Sequence, residues 1–86
     1  MKISSVYTRA EAKELARYVM DGIRGKQMIA EAQARKDVVL LRDGQRLLVS
    51  AQISIISFEA EHGRGKTAAI TRALDEELEK KGRVVA

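Results

Sequence analysis

Apolar residues recur near the start of the chain at Ala12, Leu15, Ala16, Val19 and Ile23, the i, i+3, i+4, i+7 spacing of one helix face. Thr8 followed by Glu11 reads as a capping box that opens this helix. Arg9, Lys13, Arg17 and Arg24 line up on an adjacent stripe, giving the helix a basic flank. Gly22 and Gly25 lie three positions apart, and glycine costs about 1 kcal/mol relative to alanine inside a helix. They predict a stop or a bend. A second helical piece, about 26–36, carries Met28, Ile29 and Ala32, so the N-terminal segment is either one bent helix or two short ones.

The period then changes. Val38 to Leu41 is a short apolar run, and Arg42-Asp43-Gly44-Gln45 supplies an Asp-Gly pair before the chain turns apolar again. That pair between apolar runs predicts a β-hairpin, because a type I′ turn needs positive φ at both central residues. From Val49 the residues Val49, Ala51, Ile53 and Ile55 alternate with Ser50, Gln52 and Ser54, the period of a half-buried strand. Ile56 and Phe58 break the alternation, so 53–58 is either a strand buried on both faces or the start of a helical turn. Glu59 to Gly65 reads as a loop, with Thr67 capping a last helix that runs to Lys81 and ends at Gly82. Ile70, Leu74 and Leu78 form its apolar stripe. Residues 2–7 are a short strand or lead-in, and 83–86 a tail or the first residues of a further strand. The expected fold is one α+β domain over 1–86: N-terminal helix, antiparallel hairpin, C-terminal helix.

Length and composition narrow the function classes. With 86 residues the core is small, and dimerisation is a natural way to extend it. The chain has no cysteine, which excludes a disulfide frame and a thiolate metal site, and its single histidine, His62, cannot build a metal site alone. No apolar run reaches the ~20 residues of a membrane span. The N-terminal residues have no apolar core and are not read as a signal peptide, which makes the cytoplasm the default compartment. A net charge of +4 permits a nucleic-acid or acidic-protein partner without requiring one. Three aromatic residues, Tyr7, Tyr18 and Phe58, are too few for a base-stacking platform. His62 has no second histidine or cysteine to form a catalytic dyad.

One string has a chemical meaning of its own. Ala60 to Thr67, AEHGRGKT, resembles the phosphate-binding loop of P-loop nucleotidases. In such a loop backbone N–H groups converge on phosphate, the lysine reaches the outer phosphates and the following hydroxyl holds magnesium. The resemblance implies an anion site at Gly63, Arg64, Gly65, Lys66 and Thr67, with ATP and magnesium as cofactors. Ala60 stands where the motif has its first glycine. An acidic second strand for the metal is not seen, so the reading applies to the N-terminal piece of a larger enzyme. Asp43-Gly44-Gln45-Arg46 is similar to the hairpin of small head–tail joining proteins of tailed phages, and Val49-Ser50 resembles the hairpin end of prevent-host-death antitoxins. These resemblances carry no residue roles. The first expectation is therefore a non-enzymatic binding or regulatory protein of the kind phages and plasmids encode. It would work as a dimer without a cofactor, on DNA through Arg9, Lys13, Arg17 and Arg24 or on a protein partner. The alternatives are the nucleotidase fragment and a small virion structural protein.

Overall fold

A computed structural model describes residues 7–85, and side chains through residue 80. Among them there are three helices and no strand: α1 spans Arg9–Arg35, α2 Val38–His62 and α3 Arg64–Val85. The α+β architecture is thereby corrected to an all-helical one. Residues 38–58, read as a hairpin, form most of α2. Lead-in residues 2–6 and Ala86 lie outside the described residues.

The start of α1 follows the sequence expectation. Thr8 Oγ1 accepts from the Glu11 N–H at 3.1 Å, and the Thr8 N–H donates to Glu11 Oε1 at 2.9 Å. This reciprocal pair satisfies free donors at the helix end. α1 then continues through Gly22 and Gly25 as one helix of 27 residues. It stops at Lys36, whose φ of 56° is left-handed, with the Asp37 N–H donating to the Ala32 carbonyl at 2.9 Å. That six-to-one bond is the mark of a Schellman stop. Asp37 at once caps α2, its Oδ1 accepting from the Leu40 N–H at 3.0 Å. A two-residue link thus reverses the chain into an antiparallel helical hairpin.

The seam of this hairpin explains the glycines. Gly44, Ala51 and Phe58 are buried at seven-residue intervals along α2, and Leu15, Gly25 and Ala32 are buried along α1. A Cβ on Gly25 would lie 2.9 Å from the Leu48 nitrogen and 3.0 Å from the Gly44 oxygen. A Cβ on Gly44 would lie 2.9 Å from Met28 Cβ and 3.1 Å from the Gly25 oxygen. Real side chains do not approach so closely. Gly44 is therefore not the positive-φ corner of a turn but the place where two backbones meet. Gly22 is looser, its added Cβ falling 3.7 Å from Ala51 Cβ. The seam grows bulkier toward the other end, where Leu15 and Phe58 are almost fully buried.

α3 completes that end. The break expected over Glu59–Gly65 shrinks to a single residue, Gly63, whose φ of 99° suits glycine. α3 begins at Arg64, not at Thr67, and continues past Gly82 to Val85. Ile70 joins Leu15 and Phe58 in one core, with Tyr7, Ala12, Tyr18, Val19, Ile55 and Leu74 packed around it. Leu78, expected on the same stripe, is 39% exposed. The molecule measures 53 × 35 × 16 Å, with a radius of gyration of 15.2 Å. A compact chain of this length would have about 12 Å. The protein is a thin slab with its main core at one end.

Candidate functional site

Three surfaces concentrate the chemistry. The first lies where the helices converge. Glu11 on α1 uses Oε1 for its cap and Oε2 to accept from Lys66 Nζ on α3 at 2.9 Å. The same Oε2 lies 3.2 Å from Nδ1 of His62 on α2. Thr8 N–H first and Lys66 second hold the Glu11 carboxyl at about 2, well below the usual range. The His62 ring packs on Phe58, with centroids 4.3 Å apart. One carboxylate thus links all three helices.

This arrangement decides where the phosphate-loop string falls. Ala60, Glu61 and His62 are the last residues of α2, Gly63 is the joint, and Arg64 to Thr67 form the first turn of α3. A helix, not a strand, precedes the glycines. Lys66 is held by Glu11, and the Thr67 hydroxyl donates to the Gly63 carbonyl at 2.9 Å. The two groups that would meet phosphate and magnesium both have partners within the fold. Arg64 is highly exposed, with Nε 3.3 Å from Glu59 Oε2. Gly65 has open space around it. Among the described residues no group of three or more His, Cys, Asp or Glu could hold a metal.

The second surface is the basic flank of α1. Arg9, Lys13, Arg17 and Arg24 are all exposed and share one side of the helix, as their spacing requires. The Arg17 guanidinium sits 5.9 Å from the centre of the Tyr18 ring. The ion pairs found among the described residues involve Arg35, His62, Arg64 and Lys66, not these four. Met20, about half exposed, interrupts the stripe.

Sequence reasoning missed the third surface. On the side of α2 away from the seam, Val49, Ile53 and Ile56 are 51%, 58% and 65% exposed. Their 4, 3 spacing stacks them into one strip. Val38 and Val39 are also exposed, at the start of the helix. A shallow groove of ≈ 570 Å³ follows this face, with Arg42 and Arg46 at one end and Val49 and Ile53 beyond them. The signal was present in the sequence as apolar residues at 49, 53 and 56. Read with period two, it looked like part of a strand.

No helix among the described residues is long and apolar enough to cross a membrane. Comparisons with known protein families, curated proteins and solved structures find no match.

Proposed function

We propose that the chain is a non-enzymatic binding module that acts by protein–protein contact through the outer face of α2. The observation that carries this reading is the exposed strip Val49, Ile53 and Ile56. Single exposed apolar residues are ordinary, but a contiguous strip is characteristic of an interaction surface. It is the more telling in a chain whose buried apolar residues include only Leu15, Ala32, Ala51, Phe58 and Ile70 among those described. A protein this short of core residues leaves two isoleucines in water on one helix face. The Glu11 carboxylate, with His62 and Lys66 on either side of it, is accounted for as a link across the helix junction.

The test is site-specific photocrosslinking in the native host, with the photoreactive residue at Ile53 and a control at Glu76, exposed on α3. A defined adduct at Ile53 and none at Glu76 is the expected result. If neither position yields an adduct, α2 is not the binding face.

A second reading rests on the basic flank. Arg9, Lys13, Arg17 and Arg24 are free of carboxylate partners among the ion pairs described, as a phosphate-contacting surface requires. Such contacts would bind duplex DNA by its backbone rather than by sequence, as an activity separate from the α2 face.

A further inference from the structure

The geometry points to a second copy of this chain as the occupant of the α2 face, paired antiparallel about a two-fold axis near Ala51. This inference rests on the reading of α2 as the binding face and names its partner.

The outer face is its own complement. Its residues are Arg42, Arg46, Val49, Ile53, Ile56 and Ala60, at spacings of 4, 3, 4, 3 and 4. That order reads the same from either end. In an antiparallel pair Val49 meets Ile53 of the second copy, Arg46 meets Ile56 and Arg42 meets Ala60. A two-fold axis makes each contact occur twice, as an isologous interface demands. The apolar residues fall in the middle and the arginines at the rims. Their aliphatic stems can cover Ile56 and Ala60 while the charged heads stay in water.

Charge fixes the direction. The first half of α2 carries Arg42, Asp43 and Arg46, and its last turn carries Glu59 and Glu61. In an antiparallel pair the arginines lie near these acids and near the negative end of the partner helix. Glu59 must share itself with Arg64, an exposed pair at 3.3 Å that solvent already weakens. In a parallel pair Arg42 would face Arg42 and Arg46 would face Arg46, and like charges would oppose each other.

Size and shape agree. The apolar strip is on the order of a few hundred Å², the size of the largest patch on an ordinary monomer, which is often functional. A stable pair buries about 800 Å² per partner, so the contact must run along most of α2. The helix has 25 residues, which gives about 37 Å of length. The slab is only 16 Å thick. Pairing would supply the core that one copy lacks.

The test combines sedimentation with directed crosslinking. The native chain should sediment as a dimer. Ile53→Arg should sediment as a monomer with unchanged helix content, since Ile53 is not part of the core. The pair Arg42→Glu and Arg46→Glu, made together, should weaken dimerisation at least tenfold. A native chain that stays monomeric at the highest soluble concentration overturns the proposal, as does a dimer that survives Ile53→Arg. The chain has no cysteine, so thiol crosslinks report only introduced sites. Chains carrying Arg42→Cys, mixed with chains carrying Ala60→Cys and treated with a short bismaleimide, should give the mixed dimer. Crosslinks only between like chains would show parallel pairing and overturn the antiparallel arrangement. In the photocrosslinking experiment, an adduct of twice the chain mass supports self-pairing. An adduct with a different protein, together with a monomeric native chain, leaves the α2 face standing as a binding surface and removes the second copy from it.

Discussion

Alanine at Gly22 and alanine at Gly25 should move stability in opposite directions, although the positions lie three residues apart in one helix. In an open helix either change would stabilise by about 1 kcal/mol, because glycine has the greater backbone freedom to lose. At Gly22 that gain survives, since the new methyl would sit 3.7 Å from Ala51 Cβ, an ordinary contact. At Gly25 it would sit 2.9 Å from the Leu48 nitrogen and 3.1 Å from its Cα. Backbone atoms cannot rotate aside, so α1 and α2 must separate. Overpacking of this kind costs about 1–3 kcal/mol. Set against the propensity gain, Gly25→Ala should be destabilised by up to about 2 kcal/mol. Gly44→Ala meets Met28 Cβ at 2.9 Å, which no rotamer moves, and the Gly25 oxygen at 3.1 Å, and should be destabilised as Gly25→Ala is. The spread between Gly22→Ala and Gly25→Ala is then about 1–3 kcal/mol, or roughly 5–20 °C in Tm. Thermal melts followed by circular dichroism would measure it, at one protein concentration because self-association also shifts Tm. If Gly25→Ala raises Tm as much as Gly22→Ala does, the two backbones do not meet at Gly25 and Gly44.

Glu11 makes stability depend on acid. Its carboxyl stands at about 2 in the folded chain and near 4.3 when unfolded, so its contribution is complete above about pH 4.5 and is lost as pH falls toward 2. Urea midpoints across that window should fall with pH in the native chain and fall less in Glu11→Gln. Lys36 holds a left-handed conformation with φ 56°, and Lys36→Gly should stabilise the chain by about 0.5–1 kcal/mol in urea titrations. If four phosphates meet Arg9, Lys13, Arg17 and Arg24, log K for duplex DNA should fall with log salt at a slope of about −4. Lys13→Ala with Arg17→Ala should flatten that slope without changing helix content, and absence of DNA binding at low salt would remove the second reading.

The start of α1 and the core position of Ile70 were legible; α2 and the two ends of α3 were not. The capping box at Thr8 and Glu11 and the stripe from Ala12 to Ile23 follow from local pattern, and both appear in the fold. So does Ile70 as a core residue. α2 was misread because it is apolar on two opposite sides. Leu48, Ala51, Ile55 and Phe58 face the seam side while Val49, Ile53 and Ile56 face out, and their overlay produces an accidental alternation from 49 to 55. An ordinary surface helix would have been polar on its outer side, and its 3.6-residue period would have shown. The feature that defeated the periodicity argument is therefore the proposed binding strip itself. The glycines misled for a related reason. A glycine needed for its missing Cβ has the same letter as one needed for its φ, and only the partner helix distinguishes them. The link of Lys66 to Glu11 spans 55 positions, and no local rule reaches that far.

The two-residue link at Lys36 and Asp37 also sets an order of assembly. Loop closure is cheapest for residues nearest the link, so pairing can begin there and zip outward through Gly25 and Gly44 toward Leu15 and Phe58. Contacts this local favour rapid folding. α3 meets α1 only across most of the chain, through Lys66 and Ile70, and it docks on a surface the hairpin must first complete. Native-state hydrogen exchange should therefore resolve two cooperative units, with amides of α3 exchanging through a low-energy opening that leaves the α1–α2 hairpin closed.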